Sequence, residues 1–202
     1  MPILYYDSET SDVFDKKRPE IQPRIASIAA VLFSDDGKHE VGSFYGLIQP
    51  DGWTMNKQAS QVNGLTNEFL AENGMPGEGV LLHFLLLFNS ARLAIAFNSA
   101  FDNKVIEYEV KTRLNGKLTQ PPFDTGKTRC AMMAASACMK MPNRFGYAGF
   151  AWPKLDEAYF WMFKKQMEGA HNALNDVRAT AWLSFAMRDL GYWNLETNQI
   201  AI

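Results

Sequence analysis

The chain has 202 residues, 47% of them apolar and 21% charged, with a formal net charge of −2. That length and apolar content suffice for one sizeable core, so a single domain spanning 1–202, with its core at about residues 3–190, is the expectation. The near-neutral balance excludes an overall basic footprint of the kind that grips nucleic acid non-specifically, so any polyanion must be held locally, through metal ions and a few basic side chains.

The apolar run from Ile3 to Asp7 predicts a buried strand. Arg24 to Phe33 (RIASIAAVLF) predicts a second and Gly42 to Ile48 a third, with Asp35-Asp36-Gly37 as the hairpin turn between them. Thr10 to Pro23, with Lys16, Lys17, Arg18 and Pro19, predicts an exposed loop. Met55 to Asn73 predicts helix in pieces, broken at Asn63-Gly64, and Gly74 to Gly79 with Pro76 is a breaker. A buried helix is expected from Gly79 to Ala91, a strand from Leu93 to Phe97, and an amphipathic helix from Phe101 to Leu114, where Val105, Ile106, Glu109 and Val110 fall near helical spacing. Pro121 to Asp124 predicts a short strand and Lys127 to Lys140 a Met- and Ala-rich helix. Asn143 to Pro153 predicts an aromatic loop and Lys154 to Phe163 a helix. Ala173 to Leu190 predicts the last helix, with Leu174, Val177, Ala181 and Phe185 along one face. A meander of strands followed by alternating helices and strands predicts an α/β fold, a mixed sheet flanked by helices.

Cys130 and Cys138 are eight apart and fit no metal or redox spacing, so reduced thiols in a cytoplasmic protein are expected. Pro2 to Tyr6 is too short for a leader. Val80 to Phe97 is interrupted by His83, Asn89 and Arg92, so no membrane partner is expected.

Three short motifs carry the chemistry. Asp7-Ser8-Glu9-Thr10 ends the first strand, Asn98-Ser99-Ala100-Phe101-Asp102 follows the strand at Leu93, and His171-Asn172-Ala173-Leu174-Asn175-Asp176 opens the last helix. Side chains two apart on a strand share a face, so Asp7 and Glu9 point the same way. Convergent carboxylates repel and need a cation between them, and oxygen ligands select Mg²⁺ or Mn²⁺. On one regular helix His171 and Asp176 would point roughly 140° apart. They face one site only if His171 lies on the preceding loop, with Asn172 as the N-cap. A loop histidine suits a general base that takes a proton from water. Two ions about 4 Å apart would stabilise the attacking and leaving oxygens of a phosphodiester. Asp7 would bridge them, Glu9 and Asp176 would complete one shell, and Asp102 would hold the other ion.

Together the motifs resemble those of the DEDDh exonucleases, a ribonuclease H-like group that includes the proofreading epsilon subunit of bacterial DNA polymerase III. D-x-E-T matches Asp7, Glu9 and Thr10; N-x-x-F-D matches Asn98, Phe101 and Asp102; H-x-A-L-x-D with a following A-T matches His171, Ala173, Leu174, Asp176, Ala179 and Thr180. Asn63-Gly64-Leu65-Thr66 and Phe123-Asp124-Thr125 resemble two further segments of the group. The resemblance implies catalytic and metal roles for Asp7, Glu9, Asp102 and Asp176, a base at His171, and a 3′-nucleotide pocket lined by Thr10, Leu65, Asn98 and Phe101. It implies a two-metal 3′–5′ exonuclease that releases nucleoside monophosphates from single-stranded DNA. Single-stranded RNA is the alternative substrate, and an inactive nucleic-acid-binding scaffold is the alternative class, against which the intact acids argue. The short tail around Tyr192 and Trp193 lacks the extension by which a proofreading subunit docks on its polymerase, so a free-standing nuclease is expected and a protein partner is left open.

Overall fold

The computed structural model describes residues 1–14, 17, 22–115, 123–143, 148–167 and 172–201. Three strands open the chain: β1 (Ile3–Thr10), β2 (Ile25–Phe33) and β3 (Glu40–Leu47). They form the expected antiparallel meander, with Gly37 at φ +77° in the turn. Next come α1 (Lys57–Asn63), α2 (Asn67–Asn73), α3 (Gly77–Ser90), β4 (Leu93–Ala96) and α4 (Ser99–Leu114). The chain continues through β5 (Thr128–Cys130), α5 (Ala131–Met139), α6 (Leu155–Phe163), α7 (Ala173–Asp189) and a hairpin of β6 (Trp193–Asn194) and β7 (Gln199–Ile200). The main sheet has the order β3-β2-β1-β4-β5, with β1 antiparallel to β2 and parallel to β4, and β4 parallel to β5.

The pleat of β1 divides the core. Ile3 and Tyr5 enter one cluster with Val177 and Ala181 of α7 and Ala134 of α5. Leu4 and Tyr6 enter the other with Phe84 and Phe88 of α3 and Val105 and Ile106 of α4. Burial of both faces explains why β2 reads as an apolar run interrupted only by Ser27 rather than an alternating one.

Local chemistry sets the breaks. Asn56 caps α1 by accepting from the Gln58 amide at 2.8 Å, and Gly64 ends that helix in the left-handed conformation at φ +74°. Asn172 caps α7 as expected, accepting from the Asn175 amide.

Three expectations are corrected. The helix expected over Lys127 to Lys140 is a turn of 3₁₀ helix (Thr125–Lys127), then β5, and only then α5. Edge pairing with β4 overrides the helical composition, because Thr128, Arg129 and Cys130 register against Ala94, Ile95 and Ala96. The short strand expected at Pro121 to Asp124 does not form at Phe123 and Asp124, and residues 121 and 122 lie outside the described residues. Helix α3 starts inside the expected breaker, with Pro76 supplying the fixed φ before its first turn. In the tail, Trp193 is buried against α7 and its indole donates to Asn198.

One polar network fixes α4. Glu109 is fully buried and accepts from Arg24 Nε at 2.7 Å, from the Ile25 amide at 3.2 Å and from Arg113. Arg113 in turn reaches Asp51. The helix is thereby tied to the first residue of β2.

Candidate active site

β1 runs up the centre of the sheet and delivers Asp7 and Glu9 on one face and Ser8 and Thr10 on the other, as the alternating burial of the strand shows. Between Glu9 and Thr10 the register with β2 shifts by one residue, a bulge that re-aims the strand end where the acids sit. Beyond it, Ser11 exchanges backbone bonds with Arg24 and Asn56, which fastens the segment after the motif.

Asp102 lies in the first turn of α4, is 3% exposed, and reaches the end of β1. Its Oδ1 accepts two bonds from Ser8, one from the backbone amide at 3.0 Å and one from the hydroxyl at 2.6 Å. Asp176 lies in the first turn of α7, the helix packed along β1.

The acids converge. Burial first, then the charges of Asp102, Glu9 and Asp176, push the Asp7 carboxyl well above its usual range, and only the Ser8 amide opposes them. Burial likewise pushes Asp102 up to about 7, against the Ser8 hydrogen bonds that lower it and with Glu9 raising it. Three elements distant in sequence thus place four carboxyl groups in one field. Such a cluster is unfavourable as bare anions and holds protons or a cation.

Among the described residues no three acidic, histidine or cysteine side chains already close around an ion. The donor set nonetheless fits a hard divalent cation: it is all carboxylate oxygen, and a cation removes the repulsion that raises Asp7. Histidine 171 lies outside the described residues, as do Arg144, Phe145 and Tyr147 of the aromatic loop.

The expected nucleotide-pocket residues are differently placed. Asn98 is exposed at the N-cap position of α4, and Phe101 is half-buried with its ring edge-on to Phe14. Leu65 is buried in a small cluster with Met55 and Leu70, its amide held by Asn63 Oδ1. Thr10 is buried and its hydroxyl donates to the Asp12 carbonyl. Ser8 was missed by the motif reading. The signal for it is a small hydroxyl residue between two acids at a strand end, where alternation turns it toward the helix that carries the third acid.

The sequence matches the RNase T family, described as exonuclease, over residues 4–183. The chain belongs to this exonuclease family. It is a DEDDh-type member with the ribonuclease H-like fold, a five-stranded mixed sheet flanked by helices. No curated protein matches the chain in sequence. Among solved structures it resembles E. coli exonuclease I in complex with a dT13 oligonucleotide, with TM-score 0.73 and 16% identity over 93% of this chain and 41% of that one. It also resembles the moderately thermophilic exonuclease I of Methylocaldum szegediense, with TM-score 0.71 and 19% identity over 93% and 40%. A zinc-bound form of the E. coli exonuclease I complex with single-stranded DNA matches at TM-score 0.72 and 17% identity over 93% and 40%. This exonuclease-family chain therefore spans about two fifths of the length of those proteins. No helix among its described residues is long and apolar enough to cross a membrane.

Proposed function

We propose that the chain is a single exonuclease domain that hydrolyses single-stranded DNA from the 3′ end, releasing nucleoside monophosphates with the help of two divalent ions, Mg²⁺ or Mn²⁺. The convergence of Asp7, Glu9, Asp102 and Asp176 carries the reading, because their mutual repulsion calls for cations where a phosphodiester would lie. In support of DNA, E. coli exonuclease I, which shares the fold, has been seen holding dT13 and dA16 oligonucleotides.

Asp7, Glu9 and Asp176 would hold one ion and Asp7 and Asp102 the other. When bound, such ions neutralise the charge of the phosphate and make a nucleophile available near neutral pH. The protein's own part is positioning. β1 fixes Asp7 and Glu9 on one face, and the capped first turn of α7 fixes Asp176. His171, one residue before the Asn172 cap, would accept the proton of the attacking water. Asn98, exposed at the start of α4, and the half-buried edge of Phe101 would meet the terminal nucleotide, with Leu65 and the Thr10 backbone behind them. A single strand is the fitting substrate because a duplex end must first be unpaired before its terminal base leaves the stack.

The test is a digestion time course with Mg²⁺ on 5′-labelled DNA and RNA oligonucleotides of one sequence, beside Asp7→Ala and with EDTA. A ladder shortening from the 3′ end on DNA, absent in the variant and in EDTA, is expected. A ladder mainly on RNA would reassign the substrate. Turnover that survives EDTA or Asp7→Ala would remove the metal mechanism.

A further inference from the structure

Ser8 lies between Asp7 and Glu9 but on the opposite face of β1, and its 7% exposed side chain spends its hydroxyl on Asp102 at the start of α4. Any residue but proline would supply the backbone amide that also reaches Oδ1; the hydroxyl of serine or threonine adds a second donor on the same short side chain. A 2.6 Å bond from a hydroxyl to a carboxylate is of the short, strong kind, and two donors on one oxygen fix the plane of the group. Both Ser8 bonds fall on Oδ1, so neither occupies Oδ2.

Ser8 is not what holds the helix in place. Two turns further along the same face of α4, Glu109 is clamped by Arg24, Arg113 and the Ile25 amide. The polar tether at Ser8 therefore adds orientation to a carboxylate whose helix is already anchored.

We propose that Ser8 is a positioning residue of the metal site: its hydroxyl pins Oδ1 of Asp102 and presents Oδ2 to a divalent ion. The inference rests on the metal-dependent reading above. Groups that orient a metal ligand without touching the ion typically change metal affinity by about 10- to 100-fold when removed.

The test compares Mn²⁺ titrated calorimetrically into the unsubstituted chain, Ser8→Ala, Ser8→Thr and Ser8→Val, with kcat and KM on a labelled DNA oligonucleotide alongside. Ser8→Ala should keep its circular dichroism spectrum, bind Mn²⁺ about 10-fold more weakly, and lose kcat while KM for the oligonucleotide stays put. Threonine and valine have nearly the same shape, so this pair isolates the hydroxyl even if alanine at this position disturbs folding. Ser8→Thr should bind Mn²⁺ like serine and Ser8→Val should not. Equal Mn²⁺ affinity for Ser8→Thr and Ser8→Val would overturn the proposal while leaving the exonuclease reading intact. An unsubstituted chain that binds no Mn²⁺ would overturn both, and that failure is recognised because it needs no substitution to appear.

Discussion

Removing divalent ions should make the stability of this protein fall as pH rises through the neutral range, opposite to the usual behaviour of buried, hydrogen-bonded carboxylates. The folded state holds Asp102 at about 7 against an ordinary 3.8, and Asp7 is raised well above its ordinary value by burial and by Asp102, Glu9 and Asp176. A carboxyl raised on folding binds its proton more tightly folded than unfolded. Its contribution is full below the unfolded value and is lost as pH climbs to the folded one. From pH 5 to 7, Asp102 alone accounts for a loss of about 2 kcal/mol, and Asp7 acts in the same direction. Glu40, held low mainly by its hydrogen bond to Arg178, and Asp51, held low mainly by Arg113, act only at more acid pH and do not mask the effect. Urea denaturation in EDTA at pH 5, 6, 7 and 8 reads the slope directly. Mn²⁺ added at pH 8 should restore stability, since an ion bound by the folded chain alone offsets the repulsion of the ionised cluster. Asp7→Asn, which imitates protonated Asp7, should be at least as stable as the unsubstituted chain in EDTA at pH 8, yet inactive. Stability in EDTA that is flat or rises from pH 5 to 7, or an Asp7→Asn chain less stable at pH 8, would refute the electrostatic account of the site.

Two further outcomes are expected. His171→Ala should lower kcat by about 10²- to 10⁴-fold with Mn²⁺ affinity retained, and an unchanged rate and pH profile would remove the residue from the reaction. Glu109→Ala should cost about 3 kcal/mol in urea denaturation, because Arg24 and Arg113, whose side chains are only 17% and 9% exposed, lose their buried partner and keep only the half-exposed Asp51, and the Ile25 amide loses its acceptor. A cost below about 1 kcal/mol would mean that solvent screens this network as it screens surface pairs.

Most of what positions the site is legible in the residues. The first strand announces itself by Ile3 to Tyr6, the break in the first helical stretch by Asn63-Gly64, and the last helix by the Asn172 cap followed by Val177 and Ala181. What is not legible depends on partners rather than on local pattern. β5 is three residues long, and nothing in Thr128-Arg129-Cys130 marks a strand until β4 is beside it. Trp193 looks like part of a tail because its burial comes from α7 and the short hairpin, not from its neighbours in sequence. Glu109 shows only as a charged residue on an apolar stripe, and its meaning depends on Arg24, which lies eighty-five residues away. Ser8 fails for the opposite reason: it stands inside the most informative motif, where the acids on either side take the attention.

Once ionised, the acids repel one another while no cation is present, so the fold must hold them from outside the cluster. β1 is hydrogen-bonded on both edges, to β2 and to β4, and cannot move without breaking the sheet. α7 lies along β1 through Val177, Ala181 and Phe185 in the larger core cluster. α4 is tied to the first residue of β2 through Glu109. Each acid is therefore carried by an element whose anchor is apolar packing or an ion pair away from the site. That separation lets Asp7 or Asp102 be exchanged without unfolding the chain, and it means that loss of activity in those variants reports on chemistry rather than on stability. It also gives Ser8 a distinct part, since through its hydroxyl the sheet acts on an acid itself rather than on the element that carries it.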